Sequence, residues 1–238
     1  MADKKIALVA GVGPGLGAAL VQKFAAEGFQ VAAVARNQGK LEALIAERGL
    51  SSQAKAYGCD VGDAQAVADL FETVNSELGT PSLVAFNAGA FTMGSIAELD
   101  PSAVENCWRI GTFGGFLVGQ QAAKGMLDAG MAGTILFTGA TAGLRGSANF
   151  AGFAMSKFGL RALAQSMARE LGPNGIHVAH IIIDGGIGEN TGALSGDLDA
   201  PDKTLSPQAI AEAYWQLHIQ HRSAWTQELD LRPWVERF

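Results

Sequence analysis

From one end of the chain to the other, short and mostly apolar runs alternate with longer stretches whose apolar residues recur every three or four positions. The runs lie at 5–10, 30–35, 53–57, 82–87, 134–138 and 177–183. Strands buried on both faces read as such runs, whereas a strand with one wet face alternates. Between them, Leu16, Leu20 and Phe24 recur every fourth residue, and Val67, Leu70, Val74 and Leu78 repeat at mixed spacing. Each stretch therefore carries one apolar face to lay on a sheet. At 228–232, Leu229 and Leu231 alternate with charged residues and predict a seventh strand at the sheet's edge. The order predicts successive βαβ units: an α/β, doubly wound sheet of about seven mainly parallel strands with helices on both faces, in one domain over 1–238. The segment 184–206, rich in Gly, Asp and Pro, is long for a plain connection and reads as a lid.

Composition narrows the function classes. Hydrophobic residues make up 48% of the chain and charged ones 17%, with 31 glycines, a balance suited to buried strands joined by tight turns. A net charge of -6, with basic residues scattered, gives no electrostatic footprint for nucleic acid. Cys59 and Cys107 sit in apolar segments and suit a reducing compartment better than a disulfide framework. No stretch approaches the ~18 apolar residues of a membrane span, and the short apolar run near the start leads into a glycine-rich turn, as a first strand would. The expectation is a cytoplasmic protein without nucleic-acid or membrane partners.

The first strand opens into GVGPGLG, residues 11–17, and then a helix. Glycine there lets the chain turn sharply and bring backbone N–H groups near phosphate oxygens, while the helix N-terminus adds a favourable dipole. After the second strand, Ala35 occupies the position where an acidic residue would meet a ribose 2′-hydroxyl, and Arg36 follows. Arg36 is placed to pair with a 2′-phosphate, which favours NADP(H) over NAD(H); a solvated arginine at a helix start is the plainer alternative.

Three further patterns follow in order. Gly11, Gly15 and Gly17 fit G-x-x-x-G-x-G, Asp60-Val61 follows the third strand, and Asn87-Ala88-Gly89 ends the fourth. With FAMSK at 153–157 and the helix after it, the chain resembles the short-chain dehydrogenase/reductase family over nearly its whole length. The resemblance implies a Rossmann-type fold and hydride transfer between a nicotinamide and a carbonyl or alcohol carbon of a small molecule. It also implies cofactor contacts from Gly11, Gly15, Leu16, Gly17, Arg36, Asp60, Val61, Asn87, Ala88, Gly89, Lys157, Gly185 and Ile187. Assembly as a homodimer or homotetramer through the long helices after strands four and five is implied as well. Gly111, Gly114, Gly115 and Gly119 in the first of these segments would suit close helix packing.

The family's chemistry uses tyrosine as proton donor or acceptor, a lysine four residues on, a serine that holds the substrate oxygen and an asparagine in an earlier helix. Lys157 is kept. Phe153 stands at the tyrosine position, Ala140 at the serine position 13 residues earlier and Gly111 at the asparagine position. The only tyrosines are Tyr57 and Tyr214, and neither has lysine four residues on. Asp184-Gly185 replaces the family's Pro-Gly. Loss of acid–base assistance costs roughly 10²- to 10⁴-fold in rate. Thr138, Thr141, Ser147, Asn149 and His180 are the nearby polar residues that could stand in, although loop hydroxyls more often satisfy turn hydrogen bonds. The leading expectation is an NADP(H)-binding protein with weakened or lost carbonyl/alcohol redox chemistry, serving as a binding or sensing subunit. The alternative is an active NADP-dependent oxidoreductase with a rearranged proton donor; the glycine turn and Lys157 count against a nucleotide-free structural partner. Within the lid, Asp184, Glu189, Asp197, Asp199 and Asp202 against Lys203 disfavour anionic ligands. No metal site is expected.

Overall fold

The computed structural model describes residues 5–188 and 204–236. Seven strands, β1 (Ile6–Ala10), β2 (Gln30–Ala35), β3 (Ala54–Gly58), β4 (Leu83–Phe86), β5 (Gly133–Thr138), β6 (Ile176–Ile183) and β9 (Glu228–Leu231), form one sheet. Their order is β3-β2-β1-β4-β5-β6-β9. Every pair in it is parallel, with Ala7 opposite both Val31 and Leu83. Each strand matches a run expected from the sequence to within a residue or two. β1, β4 and β6 are buried along their whole length, which is why their side chains do not alternate between apolar and polar.

Helices cover both faces. On one, α1 (Leu16–Ala26), α2 (Gln38–Glu47) and α7 (Pro207–His218) pack through Leu20, Phe24, Leu41, Ile210 and Tyr214. On the other, α3 (Ala64–Glu77), α5 (Gly114–Asp128) and α6 (Ala151–Leu171) pack through Val67, Leu70, Leu117, Leu160 and Ala164. Strand order reverses between β1 and β4, so the connections leaving their carboxyl ends run to opposite faces and open a crevice between them.

Two features depart from what periodicity suggests. Between α4 (Pro101–Trp108) and α5, residues Arg109–Phe113 form a π-helical turn, which adds a residue to the helical repeat and shifts the faces that follow. The glycines around this turn serve packing within the chain. A Cβ at Gly114 would come within 3.0 Å of the Val61 carbonyl, one at Gly119 within 3.0 Å of Phe137, and one at Gly111 would overlap Ser156 Oγ.

The second departure concerns the ends of the segment read as a lid: β7 (Gly186–Ile187) and β8 (Thr204–Leu205) pair in parallel as a separate small sheet. Asp184, counted among the lid acids from the sequence, does not face a ligand space as a free carboxylate. It is buried, its carboxylate lies 3.2 Å from Arg232, and it accepts a hydrogen bond from Thr141. The other lid residues cited, Glu189, Asp197, Asp199, Asp202 and Lys203, lie outside the described residues.

Candidate dinucleotide site

At the crevice, a cavity of about 880 Å³ is lined by the turn after β1, the β2–α2 junction, the end of β3 and the end of β4. Its walls include Gly11, Arg36, Asp60, Val61, Asn87, Ala88 and Gly89, so the structure brings these expected site residues together. The volume lies in the usual range for small-molecule sites. Gly11 has φ +92°, and a Cβ there would lie 2.5 Å from Ala88 Cα, so the turn and the end of β4 touch backbone to backbone. Asn87 Nδ2 donates to the Gly11 carbonyl at 2.9 Å and fixes that approach.

The start of α1, like that of α6 at Phe150, has no side-chain cap. Asn37, Asp63, Asp100 and Ser206 cap their helices with side-chain acceptors, whereas Gly15 at the α1 start supplies none. The first turn of α1 also carries no acidic residue. That end therefore keeps its dipole for an anion, the condition a diphosphate needs. Leu16 and Gly17 are buried behind the turn and, like Gly15, stand outside the cavity lining.

Charge is concentrated at one end. Arg36 and Lys40 both line the cavity near β2, beside Asn37. Asp60 receives the Gly62 N–H at 2.9 Å and the Arg109 guanidinium at 3.3 Å. The Gly62 hydrogen bond, joined by Arg109 and more distantly Arg36, outweighs the opposing effect of burial and holds its carboxyl below the usual range. Burial pushes the Cys59 thiol, also in the lining, up to about 11, so it stays protonated at neutral pH.

Of the expected catalytic positions, Ala140 and Lys157 lie at the carboxyl end of β5, Phe153 stands beside Lys157, and Gly111 packs on Ser156 of α6. Lys157, on the sheet-facing side of α6, is buried and donates to the Thr138 carbonyl at 2.8 Å. Burial lowers its ammonium to about 8. Its Nζ lies 5.7 Å from the Phe153 ring centre and 3.9 Å from where a Gly89 Cβ would stand, next to the cavity. Thr138 Oγ1 is engaged with the buried Tyr214 hydroxyl at 2.7 Å. Ala140 is extended just before Thr141. Gly185, with φ +143°, packs toward Pro233 and Leu205, and Ile187 is exposed; neither lines the cavity. His180 is a fully buried core residue with Nδ1 3.3 Å from Glu228, and Ser147 and Asn149 are exposed.

A glycine-rich turn, a reversed strand order, and a lysine one helical turn from a residue beside the same crevice invite comparison with known proteins. The family model described as short chain dehydrogenase matches residues 5–191. This chain belongs to the short-chain dehydrogenase family. Over 177 residues it is 32% identical to a D-threitol dehydrogenase of Mycolicibacterium smegmatis, covering 74% of this chain and 68% of that one. A solved short-chain dehydrogenase from Rhodopseudomonas palustris is 40% identical, with a TM-score of 0.83 over 97% of this chain and 99% of that one. A metagenomic short-chain oxidoreductase solved in complex with NADP is 25% identical, with a TM-score of 0.82 over 96% and 97%.

Within this chain, three groups escape a reading of the sequence. Lys40 could have been found from its place one helical turn beyond Arg36. Ser156, whose hydroxyl donates to the Cys107 carbonyl at 3.0 Å, and Arg232 have partners 49 and 48 positions away and leave no local signal.

Proposed function

We propose that the chain binds NADP(H) in the β1–β4 crevice and has weakened or lost the family's carbonyl/alcohol chemistry, acting as a binding or sensing subunit. The observation that carries this reading is the asymmetry of the site. The glycine turn, the uncapped α1 and the buried Lys157 are intact, while Phe153, Ala140 and Gly111 offer no side-chain donor for proton transfer. A bound dinucleotide would supply hydride chemistry. In this chain the Gly11–Gly17 turn would hold its diphosphate, Arg36 and Lys40 a 2′-phosphate, and Lys157 the nicotinamide ribose hydroxyls. The NADP complex of the metagenomic relative supports the cofactor class.

Titration with NADPH and NADH, followed by fluorescence or calorimetry, tests the reading. NADPH should bind more tightly, and Arg36→Ala should narrow the difference by about tenfold, the scale of one charge-assisted hydrogen bond. Equal affinities would remove the 2′-phosphate assignment, and no binding by either would end the proposal.

One contact favours the second reading, an active NADP-dependent oxidoreductase. The Thr141 hydroxyl, next to Ala140, donates to the Asp184 carboxylate, so a hydroxyl coupled to an acid stands beside the vacant serine position. Vigorous turnover by the native protein that disappears in Thr141→Ala would select it.

A homodimer or homotetramer is part of the same proposal. Trp108, Phe113 and Phe116 stack along the α4–α5 surface, and Trp108 and Phe116 are exposed. A monomeric mass by light scattering at micromolar concentration would count against it. Free, buried Cys59 and Cys107 fit the cytoplasm, and among the described residues no helix is long and apolar enough to cross a membrane.

A further inference from the structure

We infer that the position vacated by the family's phenol has become part of an aromatic shelf that takes a neutral aromatic ligand beside the dinucleotide; the inference rests on the cofactor reading above. Three rings form the shelf. Phe153 on α6 lies 5.1 Å from Phe91, centre to centre, with planes at 63°, and Phe91 lies 5.9 Å from Phe150 at 70°. Both are edge-to-face arrangements, which use the edge of one ring and the face of another and leave further faces open. Phe91, the middle ring, is 62% exposed even with neighbours on two sides. Isolated exposed phenylalanines are ordinary surface, but rings in mutual contact with the central one open to solvent form a binding surface.

The shelf is built rather than incidental. Gly94 N–H donates to the Asn149 carbonyl at 2.8 Å, tying the loop that carries Phe91 to the loop that carries Phe150. Gly152 lets the loop that carries Phe91 settle on the start of α6, since a Cβ there would lie 2.5 Å from the Thr92 methyl. Asn149 takes φ +68°, a conformation uncommon outside glycine, immediately before Phe150.

Position relative to the cavity and the pattern of charge identify the occupant. Gly89 and Ala90 line the cavity and Phe91 is the next residue, so the shelf begins where the cavity wall ends. No charged residue occurs at 88–97 or 146–156. The adjoining cation, Lys157, is turned to the Thr138 carbonyl, with Phe153 beside it. An ionic ligand would lose its hydration there without gaining a partner, whereas a neutral ring system gains area and stacking. On this account the phenylalanine at position 153 is a recognition element, and the missing phenol is only half of its meaning.

The probes are 2-acetonaphthone and its saturated counterpart 2-acetyldecalin, two ketones of similar size that differ in aromaticity. Binding is measured by calorimetry on the NADPH-saturated protein, after the NADPH titration itself. The aromatic ketone should bind about three- to tenfold more tightly than the saturated one. Phe91→Leu and Phe153→Leu, which keep an apolar side chain, should each reduce that preference while NADPH affinity is unchanged. Equal affinities for the two ketones, binding of neither, or a preference that survives both substitutions would overturn the shelf. If NADPH fails to bind, the cofactor reading falls by itself. An aromatic preference that is then still seen in the protein alone, and lost in the two variants, would uphold the shelf.

Discussion

At position 153 a ring without its hydroxyl stands one helical turn before a buried lysine. Lys157 is seated and buried, with an ammonium lowered to about 8, and Phe153 lies one helical turn before it. Phe153→Tyr would place a phenol near that ammonium, which stabilises the phenolate, and Ala140→Ser would add a donor for a carbonyl oxygen. The double variant should raise NADPH-dependent reduction of simple aldehydes by about 10²-fold, read as loss of NADPH absorbance. A folded, NADPH-binding double variant with no gain would show that a phenol and a hydroxyl beside Lys157 are not sufficient for the reaction while Gly111 stays without a side chain. The substitutions at 153 and 140 are legible in the sequence because they are fixed by spacing from Lys157. The environment of Asp184 is not, since its partners Thr141 and Arg232 come from other strand ends far along the chain.

At the scale of an element, the π-helical turn Arg109–Phe113 explains why asparagine cannot simply be restored at position 111. The turn brings Gly111 against Ser156 on α6, where any Cβ meets a buried hydroxyl that already donates to the Cys107 carbonyl. Gly111→Ala should therefore cost about 1–3 kcal/mol through the displaced hydroxyl, despite the usual helical gain of alanine over glycine. Combined with Ser156→Ala it should cost less than the two single changes together, a coupling that thermal or urea denaturation would detect. Additive losses would mean that the two positions do not touch. Periodicity finds strands buried on both faces and helices with one apolar stripe. It is blind to a one-residue shift inside a helix and to strands of two residues, such as β7 and β8, which have no period to read.

Across the whole molecule, buried imidazoles set the response to acid. Burial lowers His180 to about 4, against the opposing pull of Glu228, and lowers His218 to about 4, with smaller contributions from Lys5 and His177. Both are neutral when folded and bind protons near pH 6.5 when unfolded, so their stabilisation is complete above 6.5 and is lost as pH falls toward 4. Each shift corresponds to on the order of 3 kcal/mol at full effect. The melting temperature should drop steeply between pH 6.5 and 4, and His218→Gln should flatten part of that slope; an unchanged slope would show that His218 titrates normally. The fold class was readable from the repeating alternation alone, because each βαβ unit repeats the same signal. The strand order was not, because pairing depends on crossovers that no local pattern records. The pairing of β6 with β9 has a further consequence for biosynthesis. Asp184 N–H donates to the Leu231 carbonyl at 2.8 Å, and the Asp184 carboxylate holds Arg232. These partners leave the ribosome some 45 residues after the strand they complete. The nascent chain can form its crevice between β1 and β4 early, while the Asp184 end stays open until β9 has docked.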